Sequence, residues 1–391
     1  MKEEVYHYQR KIEYFLNRIE CSSLDEDSKK KIVEFYRYLV TRGYSKGRIT
    51  KYLYTLLVLG RLIKKPFSDL RREDIEELVR KIEERDDAEW TKRDNKVIFK
   101  LFYRWLKKAE SYPDEVRWIK IPCMSMMRLP EELLTEEEVM KMVNIADHVR
   151  DKAFLLVLYE SGCRIGELLT MQIKHVHFDS FGAVLHVDGK TGPRRVRVIM
   201  SAPKLNQWLE NHPKHDNPDS ALWITIGTNS RYKVWTYTTA KEVIKKIALR
   251  AGVRKRVYPH LFRHSRATYL ANHLTEAQMK QYFGWTQSSE MASVYVHLSG
   301  RDVDNALLKL NGLESKVEEQ KNGLGPIICP RCKAHNSPDA KFCSKCSYCF
   351  DIKTAVQIDE VRSKVDMLMN ELVKNPDVLN ALVEEVKRLK G

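Results

Sequence analysis

The sequence predicts a mainly α-helical fold with a small β-hairpin insert. Four segments in the first third of the chain carry apolar residues at helical spacing, and they are Asp27–Thr41, Lys46–Lys64, Arg72–Arg85 and Thr91–Lys108. In contrast, Val184–Val187 and Val196–Ile199 alternate apolar and polar residues on either side of a Gly-containing turn, which is typical of a β-hairpin. The length of 391 residues is enough for two or three domains.

Residues 1–121 form the first predicted domain, which is entirely helical. Two of its helices begin with basic residues, hydroxyls and aromatic rings, and helix N-termini of this kind bind phosphate groups. The candidate DNA contacts are Lys46, Arg48, Lys51, Thr91, Lys92, Arg93 and Lys96. For any one of them, a solvated polar face is the alternative interpretation. The net charge of +15 favours a polyanionic partner, with nucleic acid ahead of a membrane.

A Pro-containing linker at residues 122–132 leads to a second domain at residues 133–310. Thr135 and Glu138 have the spacing of a capping box, which predicts a helix start. An apolar run at residues 153–159 predicts a buried helix, and Gly162 fits its C-cap. Arg164 follows, and Glu167 is close enough along the next helix to orient the guanidinium.

Groups suited to attack on a phosphodiester occur about a hundred residues further along. His260 and Arg263 are followed by Trp285 and then by Tyr295. Arginine binds phosphate bidentately and stays charged, and histidine can move a proton near neutral pH. A tyrosine hydroxyl can form a covalent intermediate when it is activated. Taken alone, these residue types are more often surface chemistry or packing than catalysis.

In this order, the motifs resemble the catalytic domain of the tyrosine recombinase (phage integrase) family, and most closely its archaeal members. The resemblance covers residues 130–310. It rests on the box at residues 161–167, the turn at residues 188–193 with its lysine, the HxxRH box at residues 260–264, Gly284-Trp285, and a tyrosine followed two residues later by a histidine. The stretch from Trp285 to Tyr295 is one residue longer than the commonest family spacing.

The resemblance implies a DNA strand-transfer enzyme that acts through a 3′-phosphotyrosyl intermediate. The implied catalytic residues are Arg164, Lys190, His260, Arg263, Trp285 and Tyr295, with Glu167 in support. Arg164 and Arg263 would hold the scissile phosphate, and Lys190 would protonate the departing 5′ oxygen. His260 would take the tyrosine proton, whereas His264 is expected to be structural. Neither ATP nor a catalytic metal is needed, because the phosphotyrosyl bond conserves the phosphodiester energy.

Four of the eight cysteines form a paired CxxC pattern that predicts a zinc ribbon at residues 326–350. Four thiolates suit a tetrahedral Zn²⁺ that is structural, and the predicted ligands are Cys329, Cys332, Cys343 and Cys346. Cys349 is an alternative to Cys346, and iron or two disulfides are weaker alternatives. An amphipathic helical tail is predicted at residues 355–390, which docks on the body, docks on another protomer or remains solvated.

Integration or excision of a mobile element is the predicted function, with a tetramer on two sites of double-stranded DNA. No signal peptide or membrane-length apolar run is evident, so the chain is expected to be cytoplasmic and without a membrane partner. The alternatives are a type IB topoisomerase-like activity, chromosome-dimer resolution, and a non-catalytic DNA-binding zinc-ribbon adaptor.

Overall fold

The computed structural model describes residues 5–122, 130–189, 191–227, 231–298, 311, 326–338, 340–350 and 352–374. Internal contacts divide the chain into two compact units, Met1–Arg128 and Leu129–Gly391. The prediction of a mainly helical chain with a small sheet is confirmed. In the described parts of the chain, no helix is long and apolar enough to cross a membrane.

The first unit is a bundle of helices around one apolar core. Its helices are α1 (Tyr8–Glu20), α2 (Glu26–Thr41), α3 (Lys46–Ile63), α4 (Arg72–Glu84), α5 (Glu89–Leu106) and the short α6 (Asp114–Arg117). The apolar positions predicted from helical spacing in α2 and α5 lie in this core. Phe35, for example, packs edge-on against Phe102 with ring centroids 5.3 Å apart.

The second unit is built around one helix that is buried on all sides. Its helices are α7 (Glu136–Ile145), α8 (Val149–Ser161), α9 (Ile165–Leu169), α10 (Ala202–Glu210), α11 (Tyr237–Arg250), α12 (Pro259–Ala271), α13 (Glu276–Phe283) and α14 (Met291–Leu298). Residues 153–161 of α8 are all buried, which confirms the prediction from the apolar run. Helices α7, α10 and α12 pack around α8.

A three-stranded antiparallel sheet interrupts the helices of the second unit. Its strands are β1 (Val176–Asp179), β2 (Gly182–Gly189) and β3 (Gly192–Val198), in that spatial order. The predicted hairpin is β2–β3, with Leu185 opposite Val196 and Gly189 opposite Gly192. This register turns Val196 and Val198 towards the core and leaves Arg195 and Arg197 exposed.

Local hydrogen bonds explain where the key helices begin and end. The Thr135 hydroxyl accepts from the Glu138 N–H at 3.2 Å, and the Glu138 carboxylate accepts from the Thr135 N–H at 2.9 Å. This is the predicted capping box of α7. Helix α8 ends at Gly162, whose φ of 55° is in the left-handed region. A Cβ there would lie 2.5 Å from the ring of Phe283, so both the backbone conformation and the space require glycine.

Beyond residue 325, the described chain holds one short hairpin and one long helix. Strands β4 (Ile327–Ile328) and β5 (His335–Asn336) pair antiparallel, and α15 spans Ile352–Lys374. Val361, Val365, Leu368 and Leu372 of α15 are exposed, so the predicted apolar stripe is unburied in the single chain. The second helix predicted for the tail, after residue 374, lies outside the described residues.

Candidate active site

Two predicted arginines lie at the junction of α8, α9 and α12. Arg164 is the N-cap residue of α9, and its backbone N–H and its Nη1 both donate to the Glu167 carboxylate at 2.9 Å. The predicted orientation of Arg164 by Glu167 is therefore present. The side chain of Arg164 is 32% exposed, so part of its guanidinium still faces solvent.

Arg263 is held from two sides by backbone carbonyls. Its Nη1 donates to the Gly162 carbonyl and its Nη2 donates to the Phe283 carbonyl, each at 2.8 Å. Burial, and then the nearby positive charge of Arg164, lower the pKa of Arg263 to about 10. The guanidinium still stays charged at neutral pH. Because arginine has five N–H donors, three of them remain beyond these two bonds.

The rings of Phe283, Trp285 and Tyr295 form a continuous stack beside Arg263. Trp285 lies 4.9 Å from Phe283 and 5.5 Å from Tyr295 between ring centroids, and the Tyr295 and Trp285 planes differ by 4°. The Arg263 guanidinium lies 5.4 Å from the Trp285 ring. Trp285 therefore packs the tyrosine helix α14 against the arginine, which fixes the position of the Tyr295 ring.

Tyr295 is only 4% exposed, and its hydroxyl contacts His264 Nδ1 at 2.5 Å. Burial raises the pKa of Tyr295 to about 12, although the charge of Arg263 acts in the opposite direction. At neutral pH the phenol is therefore protonated, and a hydrogen bond joins its hydroxyl to Nδ1, with the donor set by the imidazole tautomer. His264, which was expected to be structural, therefore contacts the predicted nucleophile.

His260 lies one turn before His264 on α12, and its ring centroid is 5.4 Å from that of His264. His260 is exposed. Its pKa is lowered because neighbouring protein atoms displace part of its water and because Arg263 and Arg164 are close. The imidazole is therefore mostly neutral near pH 7 and lies on the arginine side of the site.

Lys190, the remaining predicted catalytic residue, lies outside the described residues. Its neighbours are described: Gly189 ends β2, and the Thr191 hydroxyl donates to the Gly284 carbonyl at 3.1 Å. The hairpin tip is therefore tied to the residue that precedes Trp285.

The candidate DNA contacts of the first unit lie at the starts of α3 and α5. An ion pair of 2.5 Å between Lys51 and Asp94 joins the two segments, so they lie side by side. Four of the seven candidates are exposed, namely Lys46, Arg48, Lys51 and Thr91, and two are half-buried, namely Lys92 and Arg93. Lys96 differs from the other six: it is 7% exposed and pairs with Glu83 at 2.5 Å, so it presents little surface to a phosphate.

Four cysteine sulfurs converge near the C-terminal end. Cys329, Cys332, Cys343 and Cys346 place their Sγ atoms within 4.8 Å of one another, and they are the group of potential metal ligands found among the described residues. The Cys329–Cys346 and Cys332–Cys343 sulfur pairs are 3.5 and 3.4 Å apart. A metal ion can be held by this donor set. The group contains Cys346 and not the alternative Cys349.

Two arginines thus lie beside a buried tyrosine whose hydroxyl is at hydrogen-bond distance from a histidine, and these groups are suited to attack on a phosphodiester. Residues 132–301 match the sequence profile of the Phage integrase family. The chain is 26% identical to tyrosine recombinase XerA of Pyrococcus horikoshii over 72% of this chain and 94% of that protein. It is 24% identical to XerA of Pyrococcus furiosus over 73% of this chain and 95% of that protein.

Solved structures share the fold. A lambda integrase dimer bound to a COC′ core site matches with a TM-score of 0.57 and 15% identity, covering 70% of this chain and 78% of that one. The Tn1549 transposon integrase in complex with a circular intermediate DNA matches with a TM-score of 0.56 and 15% identity, covering 72% and 99%. Residues 132–301 are therefore similar to the Phage integrase family, and most of the chain is similar to tyrosine recombinases.

Proposed function

We propose that this protein is a tyrosine recombinase that integrates or excises a mobile DNA element, with Tyr295 as the nucleophile. The observation that carries the residue assignment is the convergence of Arg263, Trp285 and Tyr295. The Arg263 guanidinium lies 5.4 Å from the indole ring on which the tyrosine stacks. A scissile phosphate bound at the arginines would therefore lie close to the phenol. Chromosome-dimer resolution and relaxation of supercoils are the alternatives.

In the proposed reaction, Arg164 and Arg263 bind the non-bridging oxygens of the scissile phosphate. The Tyr295 oxygen forms a bond to phosphorus as the bond to the 5′ oxygen breaks, and negative charge increases on the two oxygens held by the arginines. Stabilisation of that growing charge by one positioned donor is worth about 3–4 kcal/mol. The two backbone carbonyls that hold Arg263 fix its direction before DNA arrives.

The proton of Tyr295 requires an acceptor because the pKa of the phenol is about 12. We assign this role to His264, whose Nδ1 is already at hydrogen-bond distance from the hydroxyl. His260, which the sequence suggested for this role, lies close to Arg263 and Arg164. We therefore propose that His260 contacts the scissile phosphate. Lys190 protonates the departing 5′ oxygen, since an alkoxide is a poor leaving group. Trp285 supports the tyrosine through its stacked ring.

We further propose that residues 1–121 form a core-binding domain that clamps DNA and is joined by the linker at 122–132 to the catalytic domain at 133–310. Exposed Lys46, Arg48 and Lys51 at the start of α3 would contact phosphates, together with Thr91, Lys92 and Arg93 of α5. Exchange between two duplexes requires four strand cleavages, one for each tyrosine, so four copies would assemble on two sites. Each phosphate contact should steepen the salt dependence of binding.

The four-cysteine cluster would hold one structural Zn²⁺ in a ribbon at residues 326–350. Zinc–sulfur bonds of about 2.3 Å place tetrahedral ligands about 3.8 Å apart, close to the separations of the two sulfur pairs. The buried Asn336 amide donates to Cys343 Sγ at 3.7 Å and accepts from the Ser344 N–H at 2.8 Å, which would orient that thiolate. The metal would supply folding free energy and no catalysis, since four thiolates leave no open position. The amphipathic tail at 355–390 would serve assembly.

The experiment that tests the function traps the covalent intermediate. Wild type, Tyr295→Phe and Tyr237→Phe are incubated with a nicked suicide substrate made from the element's attachment site. The adduct should survive denaturation in wild type and in Tyr237→Phe, which removes a different hydroxyl from the same unit. It should be absent from Tyr295→Phe. An adduct with the Tyr295 variant would show that the nucleophile is another residue, and no adduct with any protein would favour the adaptor.

Mapping the ends of the covalently bound DNA distinguishes the biological roles. Attachment sites at the boundaries of a mobile element would support integration or excision. A single chromosomal site would support dimer resolution. Attachment at many unrelated sequences, together with relaxation of supercoils, would support the topoisomerase activity.

A further inference from the structure

Arg194, near the start of β3, has a buried side chain with contacts on both sides of the catalytic site. Its side chain is 9% exposed. Nε donates to the Tyr282 carbonyl at 3.0 Å, near the end of α13, and Nη2 donates to the Glu167 carboxylate at 2.7 Å. One guanidinium therefore connects the hairpin, the helix that precedes Trp285 and the carboxylate that orients Arg164.

Glu167 divides its two oxygens between two arginines. Oε1 accepts from Arg164 Nη1 at 2.9 Å, and Oε2 accepts from Arg194 Nη2 at 2.7 Å. Burial of Glu167 acts to raise its pKa, but the bonds and charges of Arg194 and Arg164 outweigh burial and lower the pKa overall. Glu167 is therefore ionised at neutral pH, and the positions of the two guanidinium groups are coupled through it.

Two glycines leave the space that the Arg194 guanidinium occupies. A Cβ on Gly284 would lie 2.9 Å from Arg194 Nη1. A Cβ on Gly189 would lie 2.6 Å from Glu167 Oε1 and 3.0 Å from Arg194 Nη1. Gly189 directly precedes Lys190 in the sequence, and Gly284 directly precedes Trp285. The Arg194 guanidinium therefore lies between the two glycines that precede these predicted catalytic residues.

Arg194 Nη1 is buried and has no hydrogen-bond partner among the residues that the structure describes. This donor lies close to the backbone at Gly189 and Gly284, the two glycines described above.

We propose that Arg194 is a positioning residue that fixes the β2–β3 hairpin, whose turn includes Lys190 in the sequence, against the Arg164–Glu167 pair and the segment before Trp285. In this proposal, Arg194 acts through its bonds to Glu167 and to the Tyr282 carbonyl, and it does not itself bind the phosphate. This inference rests on the proposed function, because it assumes that Lys190 takes part in cleavage. The hairpin is tied to the same segment a second time by the bond from the Thr191 hydroxyl to the Gly284 carbonyl.

A double-mutant cycle tests the proposal by single-turnover cleavage of the suicide substrate. Arg194→Lys keeps the charge but loses the planar fork that makes two divergent bonds. We expect it to slow cleavage by about 10- to 100-fold, since small displacements of a catalytic group have effects of this size. In a Lys190→Ala background, the same substitution should slow cleavage by less than about 3-fold, because the group that it positions is absent.

Arg197→Lys is the matched control. Arg197 also lies on β3 and forms a bidentate ion pair, but that pair is exposed and joins β3 to Asp179 at the end of β1. Its loss should leave the cleavage rate within about 2-fold of wild type. Thermal unfolding and DNA affinity are measured for every variant. If Arg194→Lys does not fold, Thr191→Val replaces it in the cycle, since it removes only the second connection to Gly284.

An equal loss in both backgrounds overturns the proposal, because Arg194 would then act independently of Lys190. A wild-type rate for Arg194→Lys overturns it as well. A substrate with a 5′-phosphorothiolate gives an independent measurement, since its leaving group needs no proton. That substrate should reduce the Arg194→Lys defect to less than about 5-fold, and an unreduced defect contradicts the inference. Failure of the proposed function is distinguishable, because wild type itself would then give no Tyr295-dependent adduct.

Discussion

Replacement of His264 should remove the proposed proton acceptor for Tyr295, the proposed nucleophile. The pKa of Tyr295 is about 12, so at pH 8 the phenol is about four units from ionisation. At roughly 1.4 kcal/mol for each unit, formation of the free phenolate costs about 5 kcal/mol. A positioned base typically contributes 10²- to 10⁴-fold. We therefore expect His264→Ala to slow cleavage at pH 8 by about 10²- to 10⁴-fold. The upper limit corresponds to the full cost of ionising the phenol, which is four pH units or about 10⁴-fold.

The assay is single-turnover cleavage of a suicide substrate between pH 6 and pH 10. In His264→Ala, the rate should rise about tenfold for each pH unit throughout this range, because the phenolate fraction increases until the pH reaches the pKa of Tyr295. In wild type, the rate should depend less steeply on pH, because the positioned base removes the need for a free phenolate. His264→Asn is the matched control, since its amide oxygen can accept the same hydrogen bond but cannot take a proton.

A wild-type rate and pH profile in His264→Ala would refute the assignment, and His260 would again be the first candidate. Full activity of His264→Asn would show that His264 only positions the hydroxyl. A faster reaction in both variants would show that the 2.5 Å contact restrains the tyrosine in the free protein.

Three further predictions concern a buried carboxylate, the Gly162 junction and the cysteine cluster. Glu160→Gln should lower the free energy of unfolding by about 3–5 kcal/mol in urea titrations. The buried carboxylate accepts from the N–H groups of residues 199, 200 and 201 at 2.7–2.9 Å, and an amide cannot accept all three bonds. Gly162→Ala should lower the free energy of unfolding by about 2–4 kcal/mol in the same titrations, because residue 162 has a left-handed backbone and its Cβ would clash with the Phe283 ring. An unchanged free energy of unfolding would show that the Phe283 ring moves aside without cost. Cys343→Ser should reduce zinc from one ion per chain to a small fraction by metal analysis while single-turnover cleavage by bound protein persists, and full zinc occupancy would exclude Cys343 as a ligand.

The sequence predicted the parts of this protein that depend on neighbouring residues. The Thr135 capping box, the Gly162 cap and the β2–β3 hairpin follow from preferences that operate over a few residues, and all three are present. The contact between Arg164 and Glu167 was predicted for the same reason, because three residues along a helix bring two side chains together. The paired CxxC spacing likewise predicted four cysteines that the structure brings together.

Only the tertiary structure decided which distant groups meet. His260 and His264 lie one helical turn apart, so their spacing could not show which imidazole contacts Tyr295, and the packing of α14 on α12 selects His264. The spacing in the chain gave no signal for the contact between Arg194 and Glu167, 27 residues apart. It also could not show that Lys96 is buried against Glu83 while Lys51 remains exposed. Local preferences determine helices, turns and caps, whereas the pairing of charges across the core depends on how whole helices pack.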